Sequence, residues 1–209
     1  MLAGIGFSLT WIIGLSIYSS STEVRATGAE VLAGYAGHQG IAAVQFVFTE
    51  GIAGLTLAAV VLLLGRAARH ARLPVLVTGL VAATIALVQC GLGLYLTGPV
   101  VTHGSAGTAE MINHAISRLD GVKMFAIAAL AVSAGLSGVL PRWLRYVGVA
   151  LAVAIAASGL GYLFLLNGLA LAAWVSLPLL MVWVTSTGIV LGSRRHYAVH
   201  TAAVLRGAA

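Results

Sequence analysis

The sequence has very few charged residues for its length. Charged side chains make up 8% of its 209 residues, hydrophobic side chains make up 60%, and the mean hydropathy is +1.05. A soluble domain has about 25% charged residues. The shortage of charge excludes a water-soluble globular domain and predicts a polytopic membrane protein.

The sequence also lacks several features that would indicate a particular chemistry. The single cysteine, Cys90, excludes an intramolecular disulfide. There is no glycine-rich phosphate loop, no Gly-x-Ser-x-Gly and no His-Glu-x-x-His, which disfavours ATP hydrolysis and the familiar peptidase chemistries. We predict no cofactor. The net charge of +6 is carried mainly by short loops and the tail, as membrane topology requires, so we predict no nucleic-acid partner.

The sequence contains six apolar runs, and a run of about 20 residues is long enough to cross a bilayer as a helix. We predict an all-α bundle of six transmembrane helices that forms one domain over residues 1–209. The first run has no basic segment before it and no Ala-x-Ala site before Ser19, so we interpret it as a retained helix. The predicted spans are Leu2–Tyr18, Ile41–Leu64, Pro74–Leu96, Gly121–Leu140, Val147–Leu166 and Leu169–Leu191.

The basic residues predict the orientation of this bundle. In a six-span arrangement, most of them fall on the side that holds both termini. The positive-inside rule therefore places both termini in the cytoplasm, and we expect the protein in the plasma membrane. The basic residues on this side are Arg66, Arg69, Arg72, Arg142, Arg145, Arg194, Arg195 and Arg206; Arg25, Arg118 and Lys123 fall on the other side.

Two long connections lie on the outer side in this arrangement. The first, Ser19–Gly40, includes a mildly amphipathic stretch, Glu30–Tyr35, that predicts a short interfacial helix. The second, Thr97–Asp120, begins with Gly98-Pro99, which predicts a chain break. Ser117–Asp120 resembles a capping box and predicts that the helix restarts there.

Glu50 is the most informative residue, because it lies inside an apolar span. It comes nine residues after Ile41, about 14 Å into a hydrocarbon core about 30 Å thick. An ionisable group at that depth usually faces the protein interior and has a function. Gln45 and Thr49 share its helix, and Gln89 on the next span lies at a similar depth. One interpretation is a protonated Glu50 that is hydrogen-bonded to Gln89 and locks two helices; the other is a carboxyl that exchanges protons.

A second group of ionisable residues precedes the fourth span. Glu110, His114 and Arg118 are spaced by four residues and share one face if the segment is a helix. Asp120 and Lys123 form a separate pair with a spacing of three. These residues are interpreted either as a solvated outer face or as a lid above the Glu50 cavity.

The histidines do not predict a haem, because none lies in the middle of a span. His38, His103 and His114 are predicted to be outside, where they could join Glu110 or Asp120 around zinc or copper. They lack the spacing of a ligand motif, so we assign no metal site. The inner histidines are His70, His196 and His200.

The order of these features supports a family resemblance. A mid-helix Glu50 follows an outer loop, and then come a basic turn, a long second outer loop, the turn Leu140–Leu144 and a Trp-bearing last span that ends in Arg194-Arg195. This order resembles the six-helix integral membrane proteins common in high-GC actinobacteria, and the resemblance implies topology without an activity. A second similarity involves Gly40–Gln45 and Asn113-His114 followed by Arg118. These residues resemble those of the small membrane proteins related to anthrone oxygenases, although here the arginine spacing is longer and two further spans follow.

These observations lead to a functional hypothesis with alternatives. We expect an outward-facing pocket, with Glu50 and Gln89 as its floor and the second outer loop as its roof, that binds a small lipophilic molecule. Conversion by acid–base chemistry would use Glu50, Asp120, His114 and Arg118. The candidate ligand contacts are Gln45, Thr49, Gln89, Lys123 and Trp174, the last near a kink that Pro178 predicts.

The alternatives are a proton-coupled carrier and a non-catalytic subunit of a membrane complex. Whether the protein is an enzyme stays open at this point. The expected partners are the lipid bilayer, the small ligand, and either further copies of the chain or other subunits of a membrane complex.

Overall fold

The protein is built from helices. The computed structural model describes the backbone of residues 1–18 and 23–207 and the side chains of residues 1–18 and 23–193, and these ranges contain no strand. This agrees with the predicted all-α class. The helices are α1 (Leu2–Ile17), α2 (Gly28–Tyr35), α3 (Gln39–Ala67), α4 (Arg72–His103), α5 (Ala106–Leu136), α6 (Arg142–Leu163), α7 (Asn167–Ala170) and α8 (Ala173–Gly207).

Five segments are long and apolar enough to cross a membrane. They are α3, α4, α5, α6 and Asn167–Ser193, which joins α7 to the first part of α8. These segments indicate a membrane-embedded protein. The remaining apolar helix, α1, has 16 residues and therefore rises about 24 Å, less than the other five.

Helix α1 and the five longer segments form a closed ring around a central space. Helix α1 packs on α3, α3 on α4, α4 on α5, α5 on α6, α6 on α8, and α8 returns to α1. One end of the bundle, here called the long-loop end, holds α2, α7 and the α4–α5 connection. The other, here called the arginine end, holds the turns around Arg69 and Arg142. The side chains of Arg194, Arg195, Arg206, His196 and His200 lie outside the described residues.

The predicted bounds of the second outer connection are wrong. Helix α4 continues to His103 and α5 begins at Ala106, so no loop covers Thr97–Asp120. Pro99 does not break the chain, because Leu96–Val100 form a π-helical segment. Pro99 has no backbone N–H to donate. The wider π turn shifts the backbone hydrogen-bond register at this residue, so α4 continues past it.

The helix start predicted at Ser117 is wrong for the same reason. Ser117 is buried in the middle of α5. The residue that caps α5 is Ser105, whose side chain accepts a hydrogen bond from the backbone N–H of Thr108. A Ser followed by an acid three residues later therefore occurs here inside a continuous helix.

The first outer connection contains the predicted short helix, α2. Its N-terminus has a capping box, in which Thr27 and Glu30 satisfy each other's backbone N–H groups. Hydrogen bonds from the backbone and side chain of Thr27 hold the pKa of Glu30 below its usual value. Val31 and Tyr35 are buried, and α2 packs on α5. A side chain at Gly28 would collide with the carbonyl group of Ala106, so only glycine allows this approach.

Candidate functional site

A cavity of about 190 Å³ lies inside the ring. Helix α1 and all five longer segments contribute to its wall, so the cavity exists only when the ring is closed. Most of the lining is apolar, and the charged groups are confined to one part of it. The lining residues are Phe7, Trp11, Leu15, Thr49, Glu50, Ala53, Gly54, Leu57, Ala86, Asp120, Lys123, Met124, Ile127, Ile155, Tyr162, Ala173, Ser176, Leu177 and Leu180.

The charged part of the wall is a cluster of three residues. The ammonium group of Lys123 lies 2.7 Å from Oε2 of Glu50 and 2.7 Å from Oδ1 of Asp120. Glu50 and Lys123 are 8% and 6% exposed, so both charges are withdrawn from solvent. Because an unpaired charge in such a place is costly, each group depends on the others for its stability.

The backbone explains how α3 brings Glu50 into the wall. Residues Val47–Ile52 form a second π-helical segment, and Glu50 lies within it. Such single π turns occur frequently at functional sites. The hydroxyl of Thr49 donates to the carbonyl of Gln45, which satisfies that side chain within the helix. Gly14 of α1 lies against Thr49, and a side chain there would lie within 2.5 Å of its methyl group.

The other two members of the cluster come from one turn of α5. Asp120 and Lys123 are spaced by three residues and face the same direction, as the sequence predicted for this pair. Helix α5 approaches α6 closely at this level, because Gly121 and Gly159 face each other. The two glycines therefore set the depth at which the Asp120–Lys123 turn enters the ring.

The cluster carries an excess of negative charge when all its groups are ionised. Two carboxylates and one ammonium sum to a formal charge of −1. The short contacts to Lys123 are made by Oε2 of Glu50 and Oδ1 of Asp120. The second oxygens of Glu50 and Asp120 are hydrogen-bond acceptors beside the cavity, so the site favours a partner that donates hydrogen bonds.

Three further residues give the cavity wall polar or aromatic character. The Ser176 side chain is fully buried, and its hydroxyl has no hydrogen-bond partner among the described residues. Trp11 from α1 and Tyr162 from α6 are aromatic residues that line the same cavity. None of these three was identified as a site residue from the sequence. Trp11, Tyr162 and Ser176 are uncharged residues in apolar spans, so nothing in the sequence distinguishes them from ordinary residues of a membrane helix.

A second cavity of about 440 Å³ adjoins the first at the long-loop end. The two cavities share Leu15, Tyr162, Ala173 and Leu177 in their linings. Trp174, a predicted ligand contact, lines the second cavity and is 80% exposed. Glu23 and Asn167, which form a hydrogen bond with each other, also line this second cavity. The described structure therefore has space that leads from the charged cluster towards one end of the bundle.

The predicted contact between Glu50 and Gln89 is wrong. Gln89 is fully buried, but its amide donates 3.0 Å to the backbone carbonyl of Ile116 on α5. Glu50 contacts Lys123 instead. The depth of the two residues was similar, but depth along a helix does not determine the direction of a side chain around it.

The predicted roof residues do not line either described cavity. The predicted helix exists and contains Glu110, His114 and Arg118. It is the long helix α5, so these residues do not belong to an outer loop. Glu110 accepts a hydrogen bond from the backbone of Gly28, and Arg118 is exposed. Nε2 of His114 is buried without a partner among the described residues. Gln45 contributes its backbone carbonyl to Thr49 and does not line the cavity.

No cluster of three or more His, Cys, Asp or Glu residues that could hold a metal ion occurs in the described part of the chain. The three outer histidines considered from the sequence therefore do not come together with an acid there. Comparison of the chain with family models, curated proteins and solved structures gives no match.

Proposed function

We propose that this protein binds a small lipophilic molecule inside the membrane and holds its polar group against Glu50, Lys123 and Asp120. The observation that carries this proposal is a largely apolar cavity with one charged cluster on its wall. Such a combination suits a ligand with an apolar body and a single polar group.

The proposal includes a membrane arrangement with six crossings. Helix α1 packs along α3 and α8 and completes the ring, so its place in the bundle favours a full crossing despite its 16 residues. Arg66, Arg69 and Arg72 lie at the same end as Arg142 and Arg145, which favours a cytoplasmic arginine end in the plasma membrane. The second cavity then leads to the outer side.

The cluster also suits acid–base chemistry on the bound molecule. A carboxylate of Glu50 or Asp120 would accept a proton from a hydroxyl or ammonium group of the ligand. Lys123 lies between the two carboxylates and would stabilise negative charge that develops beside it. An enzyme of this kind would use one cavity and one cluster, without a path across the membrane.

A proton-coupled carrier is less well supported. It needs polar groups between Glu50 and the cytoplasm, but the buried residues of α3 in that direction are Leu57, Val60, Val61 and Leu64. A purely structural role for the charged cluster is also less well supported. Such a helix clamp needs no space, whereas Glu50 and Lys123 both border the cavity.

Blocking the cavity tests the proposed function. Ala53 is buried in the cavity wall, so Ala53→Phe is expected to fill the space near Glu50. The probe is a dibromo-octyl alcohol added to the protein in phosphatidylcholine nanodiscs, and the measurement is saturable quenching of Trp11 fluorescence. Trp143 and Trp174 are replaced by Phe in this background, because both are exposed.

We expect saturable quenching in the parent protein and none in Ala53→Phe. Val153→Phe is the matched control, since Val153 is an exposed apolar residue and its replacement should leave quenching unchanged. Trp11→Phe confirms the origin of the signal. If the dibromo-octyl alcohol and its ammonium and carboxylate analogues all quench only in proportion to their concentration, the proposed function is wrong.

A further inference from the structure

The charge of the cluster points to the chemical class of the ligand. We infer that the cavity is selective for a lipophilic amine, whose ammonium group lies against the carboxylates of Glu50 and Asp120. This inference rests on the proposed function, because it requires that the cavity bind a lipophilic molecule at all.

The first argument is electrostatic. Lys123 neutralises only one of its two carboxylate neighbours, so the ionised cluster has a formal charge of −1. A ligand with one positive charge brings the total to zero. A carboxylate ligand brings it to −2, and like charges that are brought together in a water-poor site are strongly unfavourable. A neutral alcohol leaves the excess charge uncompensated.

The second argument is the supply of acceptors. An ammonium group donates three hydrogen bonds. The carboxylate oxygens of Glu50 and Asp120 that do not contact Lys123 provide two acceptors beside the cavity. Ser176 belongs to the same cavity wall, and its buried hydroxyl, which lacks a partner among the described residues, would become a third acceptor on rotation of the side chain towards the cavity. The two carboxylates therefore supply two acceptors for an ammonium group, and Ser176 would supply the third.

The third argument concerns the rest of the lining. Trp11 of α1 and Tyr162 of α6 both line the cavity, and the face of an aromatic ring attracts a cation. The remaining wall, including Leu57, Ile127 and Leu180, is apolar and suits a hydrocarbon chain. A single small molecule with an ammonium group and an aliphatic body satisfies both parts.

Three probes with the same chain separate charge from lipophilicity. They are dibromo-octyl amine, alcohol and carboxylate, measured at neutral pH, where the amine is protonated. Nanodiscs of zwitterionic phosphatidylcholine keep the lipid surface from favouring one charge. With Trp11 quenching as the readout, we expect the amine to bind about tenfold or more tightly than the alcohol. We expect the carboxylate to give no saturable signal.

Two variants test whether the cluster causes this preference. Glu50→Gln and Asp120→Asn each bring the formal charge of the cluster to zero while the other carboxylate still pairs with Lys123. In each, the amine should lose about tenfold in affinity and bind no better than the alcohol, whose affinity should change little. Size-exclusion chromatography verifies that the variants are folded.

The outcomes distinguish this inference from the proposed function. Equal or tighter binding of the alcohol or the carboxylate to the parent protein would overturn the amine preference while leaving a lipophilic pocket. An amine preference that persists unchanged in both folded variants would also overturn it. Failure of all three probes to bind saturably would instead contradict the proposed function itself.

Discussion

Lys123 holds together charges that come from two helices. Its ammonium group contacts Glu50, 73 positions away in sequence, and Asp120 on its own helix. All three groups border the cavity, so the same contacts stabilise the bundle and define the polar part of the site. Removal of Lys123 would leave two carboxylates close together with no counter-charge.

We therefore expect Lys123→Met to be strongly destabilising. Loss of one partner from a buried ion pair lowers the free energy of unfolding by about 3–5 kcal/mol. Glu50→Gln should cost less, because Asp120 still compensates the lysine. Thermal unfolding in detergent gives the comparison.

The matched control for this prediction is Val122→Met, which introduces the same side chain at the adjacent, exposed position. Similar melting temperatures for Lys123→Met and Val122→Met would show that the cluster contributes little to stability. A loss confined to Lys123→Met supports the ion-pair account.

Only the local part of this cluster could be predicted from the sequence. The spacing of Asp120 and Lys123 was sufficient to identify their contact, because both lie on one helix. The contact of Glu50 depends on which helices adjoin and on the direction of each side chain. Position along a span gives depth alone, and for that reason Gln89 was assigned to Glu50 when it faces Ile116.

At the scale of the helices, close packing of α5 and α6 depends on glycine. A Cβ atom added at Gly121 would lie 2.8 Å from the carbonyl oxygen of Gly159 and 2.7 Å from the backbone nitrogen of Leu163. These atoms belong to the backbone and cannot rotate away. Gly121 is adjacent to Asp120, so displacement of α5 at this point would also move the charged cluster.

Gly121→Ala is accordingly expected to lower the melting temperature and weaken binding of the brominated probes together. The control is Gly135→Ala on the same helix, because a Cβ atom there would meet no atom within 4 Å. Alanine has a higher helix propensity than glycine by about 1 kcal/mol, so the control should be neutral or slightly stabilised. Equal effects of the two substitutions would contradict the proposed packing role.

The positions of the helices were predictable wherever the apolar runs were uninterrupted. The prediction was wrong at Pro99, where a chain break was expected and the helix continues. Gly98-Pro99 is a frequent chain break, and the prediction of a loop after it was reasonable for an α-helix. A π turn accommodates the proline, and no simple sequence signal separates these two outcomes. The family resemblances suggested by the sequence also stay predictions, since no compared protein matches.

At the scale of the whole molecule, the two halves of the bundle differ in polarity. The described core towards the arginine end includes Leu64, Leu130, Leu144, Leu151 and Val184 and is apolar. The charged cluster and both cavities lie in the direction of the long-loop end. This asymmetry favours a site that opens on one side of the membrane, and it makes the orientation of the bundle functionally important.

Cysteine labelling tests the orientation and the number of crossings. In a Cys90→Ser background, cysteines at positions 105 and 193 should lie on opposite faces of the membrane. A membrane-impermeant thiol reagent added to intact cells should label position 105 and not position 193. An N-terminal tag should be protected with Ser193 if α1 crosses the membrane. A tag accessible together with Ser105 would reduce the crossings to five, and labelling of both cysteines from one face would contradict the bundle topology.

The π turn around Glu50 means that α3 does not keep a single helical phase. One extra residue in a turn offsets everything before it by about 100° relative to everything after it. A helical wheel drawn through Gln39–Ala67 therefore superimposes two faces that point in different directions. Gln45 lies before the offset and Ala53 after it, and only Ala53 lines the cavity. Deleting Val47 should bring both parts into phase and rotate the N-terminal part of α3 against α1 and α4.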